Sequence, residues 1–370
     1  MKYIDEYRDP ELARGLLHRI EQLSAKMDRP VAIMEICGSH TAAIGRCGIR
    51  QLLPKNIRLL SGPGCPVCVT SAGEIDAALY LAKEPTIIFT TFGDMLRVPA
   101  SGGITLQMIR AEGADVRVVL SPLDALRLAE ENPDRQVVFM GIGFETTAPT
   151  IAATLKTAKG KGIDNFSVFS VHKVIPPALQ ILIDSPQLRI DGFLCPGHVS
   201  VIIGAEAYRP ITEAKRAAVI TGFEPVDILQ GIAMILEQID TGRFEVAIQY
   251  SRGVKPEGNA RARAVMDEVF TPVTSEWRGI GWIPGSGLAP RENYSYYDAC
   301  KRFTIPEFVS QDPPGCSCGE ILCGVKTPRD CPLFRRVCTP TDPIGPCMVS
   351  SEGTCAAYYK YHLHEKETGR

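Results

Sequence analysis

Short apolar runs alternate with amphipathic stretches along most of the chain. The runs Val31–Ile36, Ile57–Leu60, Thr86–Phe92, Val116–Leu120, Gln136–Gly141, Phe166–Val171, Asp191–Leu194, Ala217–Thr221 and Val246–Tyr250 are dominated by apolar residues. Most are continuous rather than alternating, the pattern of strands covered on both faces. Helical patterns lie between them. An amphipathic stretch, Asp9–Met27, opens the chain, and Ser121-Pro122 supplies an N-cap and a first-turn proline to Pro122–Glu131. Pro225–Ile239 repeats apolar residues at Ile228, Leu229, Ile232, Ile235, Leu236 and Ile239. This alternation predicts an α/β fold of two Rossmann-like lobes with mostly parallel sheets. Beyond about Thr271 the pattern breaks, and from Gln311 on Pro, Gly and Cys replace apolar periodicity. The expected division is one lobe over residues 1–120, a second over 121–255 and a C-terminal domain over 256–370. The last of these has too little apolar carbon to fold without a crosslink.

Composition narrows the function. The chain has 370 residues, with Lys+Arg 40 against Asp+Glu 42 and a net charge of -2. No basic run is present, so no nucleic-acid partner is expected. The longest uncharged stretch, Gly192–Ala205, has fourteen residues, short of the ~20 needed to cross a bilayer. Met1–Arg14 alternates charges without an apolar core, unlike a signal peptide, and the expected location is the cytoplasm. The thirteen cysteines are uneven, five in residues 1–299 and eight in residues 300–370. In a reducing compartment that enrichment points to metal or redox chemistry.

The C-terminal cysteines run Cys316, Cys318, Cys323, Cys331, Cys338, Cys347 and Cys355, with no histidine between His198 and His362. Thiolates suit zinc, Cu(I) or iron–sulfur clusters. Structural zinc prefers ligand pairs at C-x(2–4)-C, whereas a four-iron cluster takes one thiolate per iron and tolerates wide spacing. An iron–sulfur cluster fits best, zinc next, and unligated or disulfide-forming thiols least. Further upstream, Gly62-Pro-Gly-Cys65-Pro-Val-Cys68 sets a Cys-x-x-Cys after a strand and before a predicted helix, Ala72–Leu81. Helix N-terminal amides favour thiolate, making Cys65 and Cys68 candidate nucleophiles or ligands.

Cys37-Gly-Ser-His40 also follows a buried strand, and His40 could act there as base or ligand beside Cys37. Gly141-Ile-Gly-Phe-Glu-Thr-Thr147 lacks the third glycine of a dinucleotide fingerprint and any P-loop lysine, so it reads better as a site-lining loop carrying Glu145. His172 and His198 end strands and read individually as core or loop residues, and Cys47 and Cys195 as bystanders. Leu194-Cys-Pro-Gly-His198 weakly echoes Ile36-Cys-Gly-Ser-His40, at the strand ends where α/β proteins gather ligands.

Together, Cys37-Gly-Ser-His40, Gly62–Cys68, Gly143-Phe-Glu-Thr-Thr147, Pro196-Gly-His-Val199 and Cys347-Met-Val-Ser-Ser-Glu-Gly-Thr-Cys355 closely resemble the HypD family of NiFe hydrogenase maturation factors, over essentially the whole chain. The resemblance implies a scaffold on which an iron centre carrying two cyanides and one carbon monoxide, Fe(CN)2CO, is assembled. It implies work with the small chaperone HypC, and cyanide received through HypE, itself supplied by HypF. It also implies one 4Fe–4S cluster, with ligands among Cys318, Cys331, Cys338, Cys347 and Cys355, one candidate too many. Cys300, Cys316 and Cys323 read as extras. The family's iron and redox cysteines fall on Cys37, Cys65 and Cys68, with His40 in the Cys37 motif. Electrons would pass from the cluster through Cys65/Cys68 toward bound iron, which requires the C-terminal region to pack close to Cys65. The alternative is an iron–sulfur-dependent thiol–disulfide oxidoreductase acting on a protein disulfide; a third reading is a zinc-stabilised binding protein.

Overall fold

The computed structural model describes residues 5–185 and 188–361. All nine expected strands form: β1 Val31–Glu35, β2 Ile57–Ser61, β3 Ile87–Thr91, β4 Val116–Val118, β5 Gln136–Gly141, β6 Phe166–Ser170, β7 Gly192–Pro196, β8 Ala217–Thr221 and β9 Val246–Ile248. They build two parallel sheets, ordered β2-β1-β7-β8-β9 and β4-β3-β5-β6. Both faces of each sheet are covered, and β1, β3, β7 and β8 are buried along their whole length, which is why their sequences do not alternate. The expected strand Val116–Leu120 stops at Val118: β4 is an edge strand paired only to β3, and Leu120 is 92% exposed.

The chain leaves the first sheet after β2 and returns to it at β7. Asp191 guides the return. Its carboxylate accepts from the Ala32 amide at 2.8 Å and from the Arg29 guanidinium, while its own amide donates to the Ala32 carbonyl. β4 and β5, on either side of residue 120, share the second sheet.

Each sheet contains one place where consecutive crossovers run in opposite directions. In the first sheet β1 connects outward to β2 and β7 outward to β8, so the reversal lies between β1 and β7. In the second it lies between β3 and β5. Ligands in parallel α/β sheets bind outside the carboxyl ends of strands at such points.

An unexpected antiparallel hairpin follows, β10 Phe270–Trp277 and β11 Gly281–Pro290, with a register shift between Val273 and Ser275. Its turn meets the Cys65–Cys68 segment: the Arg278 amide donates to Val69 O at 2.8 Å and its Nε to Thr70 O at 2.9 Å. The C-terminal segment has only short helices, and it packs into the main body. Cys318, Ile321, Leu322, Met348 and Val349 are buried in one apolar cluster with Met34, Cys65, Val67 and Cys68. Among the described residues, no helix is long and apolar enough to cross a membrane.

Candidate functional site

Cys37 lies at the reversal point of the first sheet, as the N-cap of helix Gly38–Arg46. Its loop interlocks with the next cysteine motif. Gly38 N donates to Gly64 O at 2.9 Å, and Gly62 N donates to Glu35 O at 2.8 Å. A Cβ on Gly64 would fall 2.2 Å from the Cys37 nitrogen, and one on Gly38 would lie 3.3 Å from Cys65 Cβ. Only glycine permits this approach.

Opposite Cys37 stands His198, in the first turn of helix Gly197–Ile203, which follows β7 directly. Cys37 Sγ lies 3.9 Å from Nδ1 and 4.0 Å from Nε2 of this ring. Burial pushes the Cys37 thiol up to about 12, opposed by the Ser39 and His40 amides, while the Glu352 charge adds to the rise. The same burial lowers His198 to about 4 and keeps it neutral. A neutral imidazole beside a protonated thiol could take up a metal only with loss of the thiol proton.

His40 does something else. It is fully buried, with Nε2 2.9 Å from Gly222 O and 3.0 Å from Thr221 Oγ1, at the end of β8. The carbonyl partner requires a proton on Nε2, and desolvation lowers this histidine to about 4. The Cys37 motif thus supplies the anchor, and the echo motif supplies the imidazole that faces the thiol, 161 residues after Cys37. Phe223 packs against both rings, at 4.7 Å from His40 and 5.0 Å from His198. Beneath the loop, Glu35 is buried with Arg50 at 3.0 Å and Ser61 Oγ at 2.8 Å; desolvation raises it to about 7.

Cys65 caps the four-residue helix Pro66–Val69, its Sγ accepting from the Cys68 amide at 3.3 Å. The longer helix, Ala72–Ala82, is capped by Ser71 and Glu74 instead, and its Gly73 amide donates to Ser310 Oγ. Burial therefore decides the state of Cys68 and pushes its thiol well up, opposed by a contact with Cys347.

Six C-terminal cysteines, Cys316, Cys318, Cys331, Cys338, Cys347 and Cys355, line one enclosed cavity. They form one contiguous set: the Cys316 side chain is hydrogen-bonded to Cys318, and Cys355 acts on both Cys318 and Cys347. Cys318 Sγ and Cys347 Sγ lie 2.7 Å apart, and Cys347 also reaches Cys68. The Cys355 thiol is raised by burial first and then by the charges of Cys316, Cys338 and Cys331. Cys316, an extra by spacing, is drawn in because Gly345 lets it approach: a Cβ there would sit 2.8 Å from Cys316 Sγ. Cys323 is outside the cavity, with its thiol toward Gly279 O. Among the described residues no three Cys, His, Asp or Glu side chains are arranged around a single ion.

The Gly141–Thr147 loop lies at the reversal point of the second sheet. Ile142, Gly143 and Thr147 line a pocket of about 390 Å³ together with Pro66, Val67, Asp94 and Glu352. Glu145 turns away from it. Its Oε1 accepts from the Ile175 amide at 2.9 Å, Oε2 has no hydrogen-bond partner, and burial raises the group to about 7. His172 is separate from this site, its Nδ1 3.0 Å from Ser170 Oγ.

A family model named HypD, described as "Hydrogenase formation hypA family", matches residues 11–362. The chain belongs to this family. "Hydrogenase maturation factor HypD2" of Bradyrhizobium diazoefficiens is 49% identical, with 98% of this chain and 97% of the relative aligned. "Hydrogenase maturation factor HypD" of Rhizobium leguminosarum is also 49% identical, over 98% and 96%. Its namesake in Escherichia coli is 47% identical, over 99% and 100%. The chain is therefore similar to these hydrogenase maturation factors from end to end.

Sequence reasoning singled out Cys37, Cys65 and Cys68 as candidates and set His198 and Glu145 at the same strand ends; it did not expect Glu35 or Glu352 beside them. His198 was signalled only by the echo of two five-residue turns, and Glu35 by a carboxylate inside an apolar strand. Glu352 gave no signal beyond its place in the Cys347–Cys355 motif.

Proposed function

We propose that the chain is a scaffold for assembling Fe(CN)2CO during hydrogenase maturation, with the iron cargo held at Cys37. The carrying observation is a continuous row of thiols, Cys65, Cys68, Cys347 and Cys318, that starts beside the Cys37 loop and ends at the C-terminal cysteine cavity. Cyanide and carbon monoxide make iron low-spin, and such iron is well matched by a soft thiolate; His198 faces the same position. A HypC-type chaperone would complete the coordination, and HypE, loaded by HypF, would deliver cyanide. The expected setting is the cytoplasm.

Cys316, Cys331, Cys338 and Cys355 would hold a 4Fe–4S cluster. The fit rests on soft thiols lining one enclosed cavity, with this choice of four leaving the Cys318–Cys347 contact free for exchange. When bound, the cluster supplies one-electron transfer. The neighbouring thiols carry electrons in pairs. Starting from a Cys65–Cys68 disulfide and a Cys318/Cys347 dithiol, the Cys347 thiolate attacks Cys68 Sγ and releases Cys65. The Cys318 thiolate then attacks Cys347 Sγ and releases Cys68. Two electrons and two protons pass from one pair to the other.

The test is infrared spectroscopy on protein co-purified with the chaperone after expression with the maturation partners. Cyanide and carbon monoxide stretches are expected and should vanish in Cys37→Ala. Normal hydrogenase maturation by Cys37→Ala would overturn the scaffold reading and leave a disulfide reductase.

A further inference from the structure

Glu352 belongs to the C-terminal segment but stands against the Cys37 loop. Its Oε1 accepts from Ser39 Oγ at 2.5 Å, across 313 residues of sequence. The backbones also meet: a Cβ on Gly38 would fall 2.7 Å from Glu352 Cβ and 2.8 Å from its carbonyl oxygen. Glu352 lines the pocket at the reversal point of the second sheet as well, beside Pro66 and Val67 of the Cys65–Cys68 turn. It touches the segments that carry both sets of working thiols.

The same residue is five positions from Cys347, and the chain between them is tightly wound. Helix Pro346–Val349 carries Cys347 and runs straight into a turn. In that turn Gly353 N donates to Ser350 O at 2.9 Å and Glu352 N to Ser350 Oγ at 3.3 Å. A Cβ on Gly353 would fall 2.2 Å from Cys347 O, so the end of the turn is pressed onto the cysteine's own peptide. Cys347 and Glu352 therefore sit at two ends of one compact unit. One end contacts Cys318 and Cys68, the other holds the residue two positions after Cys37.

We propose that Glu352 is a positioning residue that couples the bonding of Cys347 to the conformation of the Cys37 loop. Cys318 and Cys347 lose two electrons and two protons on forming a disulfide, and a dithiol reductant returns them. The bond shortens their separation from 2.7 Å to the ~2.05 Å of a disulfide and imposes its dihedral. Cys347 is drawn toward Cys318 and away from Cys68. Because the turn is closely packed, the displacement reaches Glu352 and, through Ser39 and Gly38, the loop presenting Cys37. The proposal rests on the reading of Cys318 and Cys347 as a redox pair and adds that their state is felt at the cargo site.

The experiment uses the full chain without iron cargo, reduced with excess dithiothreitol or oxidised with diamide. Alkylation of Cys37 by iodoacetamide is followed by mass spectrometry, and disulfides are mapped in the same samples. In the native protein the Cys37 alkylation rate should differ between the two states by roughly fivefold or more, a usual size for coupled sites. Glu352→Ala and Ser39→Ala should abolish the difference while the Cys318–Cys347 disulfide still forms. Glu352→Gln, which keeps an acceptor for Ser39, should retain it. A difference that persists in both alanine variants overturns the proposal, as does a native Cys37 rate unchanged while the disulfide forms. If diamide forms no Cys318–Cys347 disulfide, the redox-pair reading itself fails and takes the coupling with it.

Discussion

Cys347 stands between two thiols, 2.7 Å from Cys318 on one side and in contact with Cys68 on the other. It is thus the link between the N-terminal Cys-x-x-Cys and the C-terminal cavity. Spacing in the sequence places Cys318 and Cys347 among candidate cluster ligands; the fold sets them against each other and adds Cys316 to the same cavity, and the proposed division gives the cluster to Cys316, Cys331, Cys338 and Cys355.

That division predicts iron content. Anaerobically prepared Cys316→Ala, Cys331→Ala, Cys338→Ala and Cys355→Ala should each lose most of the about four irons expected of a 4Fe–4S protein. Cys318→Ser, Cys347→Ser and Cys323→Ser should keep them. Iron and acid-labile sulfide analysis reads the result directly.

The two histidines should separate by phenotype. His40→Ala removes a buried group hydrogen-bonded to the end of β8, and should cost about 1–3 kcal/mol in urea unfolding. His198→Ala leaves a half-buried ring position and should unfold nearly normally. Its defect should appear in the cyanide and carbon monoxide stretches, either shifted or lost.

Gly64→Ala should damage both cysteine motifs together. The added Cβ would meet the Cys37 backbone at 2.2 Å, where nothing flexible can yield, at a cost on the order of 1–3 kcal/mol or more. Gly160→Ala, in a helix with open space around it, should be neutral or slightly stabilising. Thermal unfolding and infrared spectra compare the two.

Stability should depend on pH through the buried carboxyl of Glu145. Burial raises it to about 7 from an ordinary 4.5, so the folded state holds a proton that the unfolded chain has released between those values. Stability from this group is complete below the unfolded pKa and is lost as pH rises through about 7. His198 and His40, lowered to about 4, act oppositely, losing stability as pH falls from 6.5 toward that value. Urea midpoints measured from pH 6.5 to 8.5 leave the histidines behind and read the two raised carboxyls, Glu145 and Glu35, together. Glu145→Gln should flatten the decline there by the equivalent of up to one proton, and an unchanged slope would remove Glu145 as its source.

The strands and the working cysteines were legible because burial on both faces forces continuous apolar runs, and because thiols next to glycine are conspicuous. The hairpin was not. Its second strand, Gly281–Pro290, holds three glycines and two prolines, and its position comes from Arg278 gripping Val69 and Thr70 rather than from strand propensity. The return of β7 to β1 was equally hidden, since one carboxylate, Asp191, makes the connection across 159 residues. Spacing left five candidates for four cluster positions and gave no sign that Cys316 would line the same cavity.

The most direct test of the relay is disulfide mapping in the Cys65→Ser/Cys318→Ser double variant, which leaves Cys68 and Cys347 without their other partners. Mild oxidation of the folded protein should join Cys68 to Cys347, seen as a single linked peptide by mass spectrometry under non-reducing conditions. If both cysteines remain free under conditions that close Cys65–Cys68 and Cys318–Cys347 in the native chain, the two pairs do not exchange and the relay is wrong.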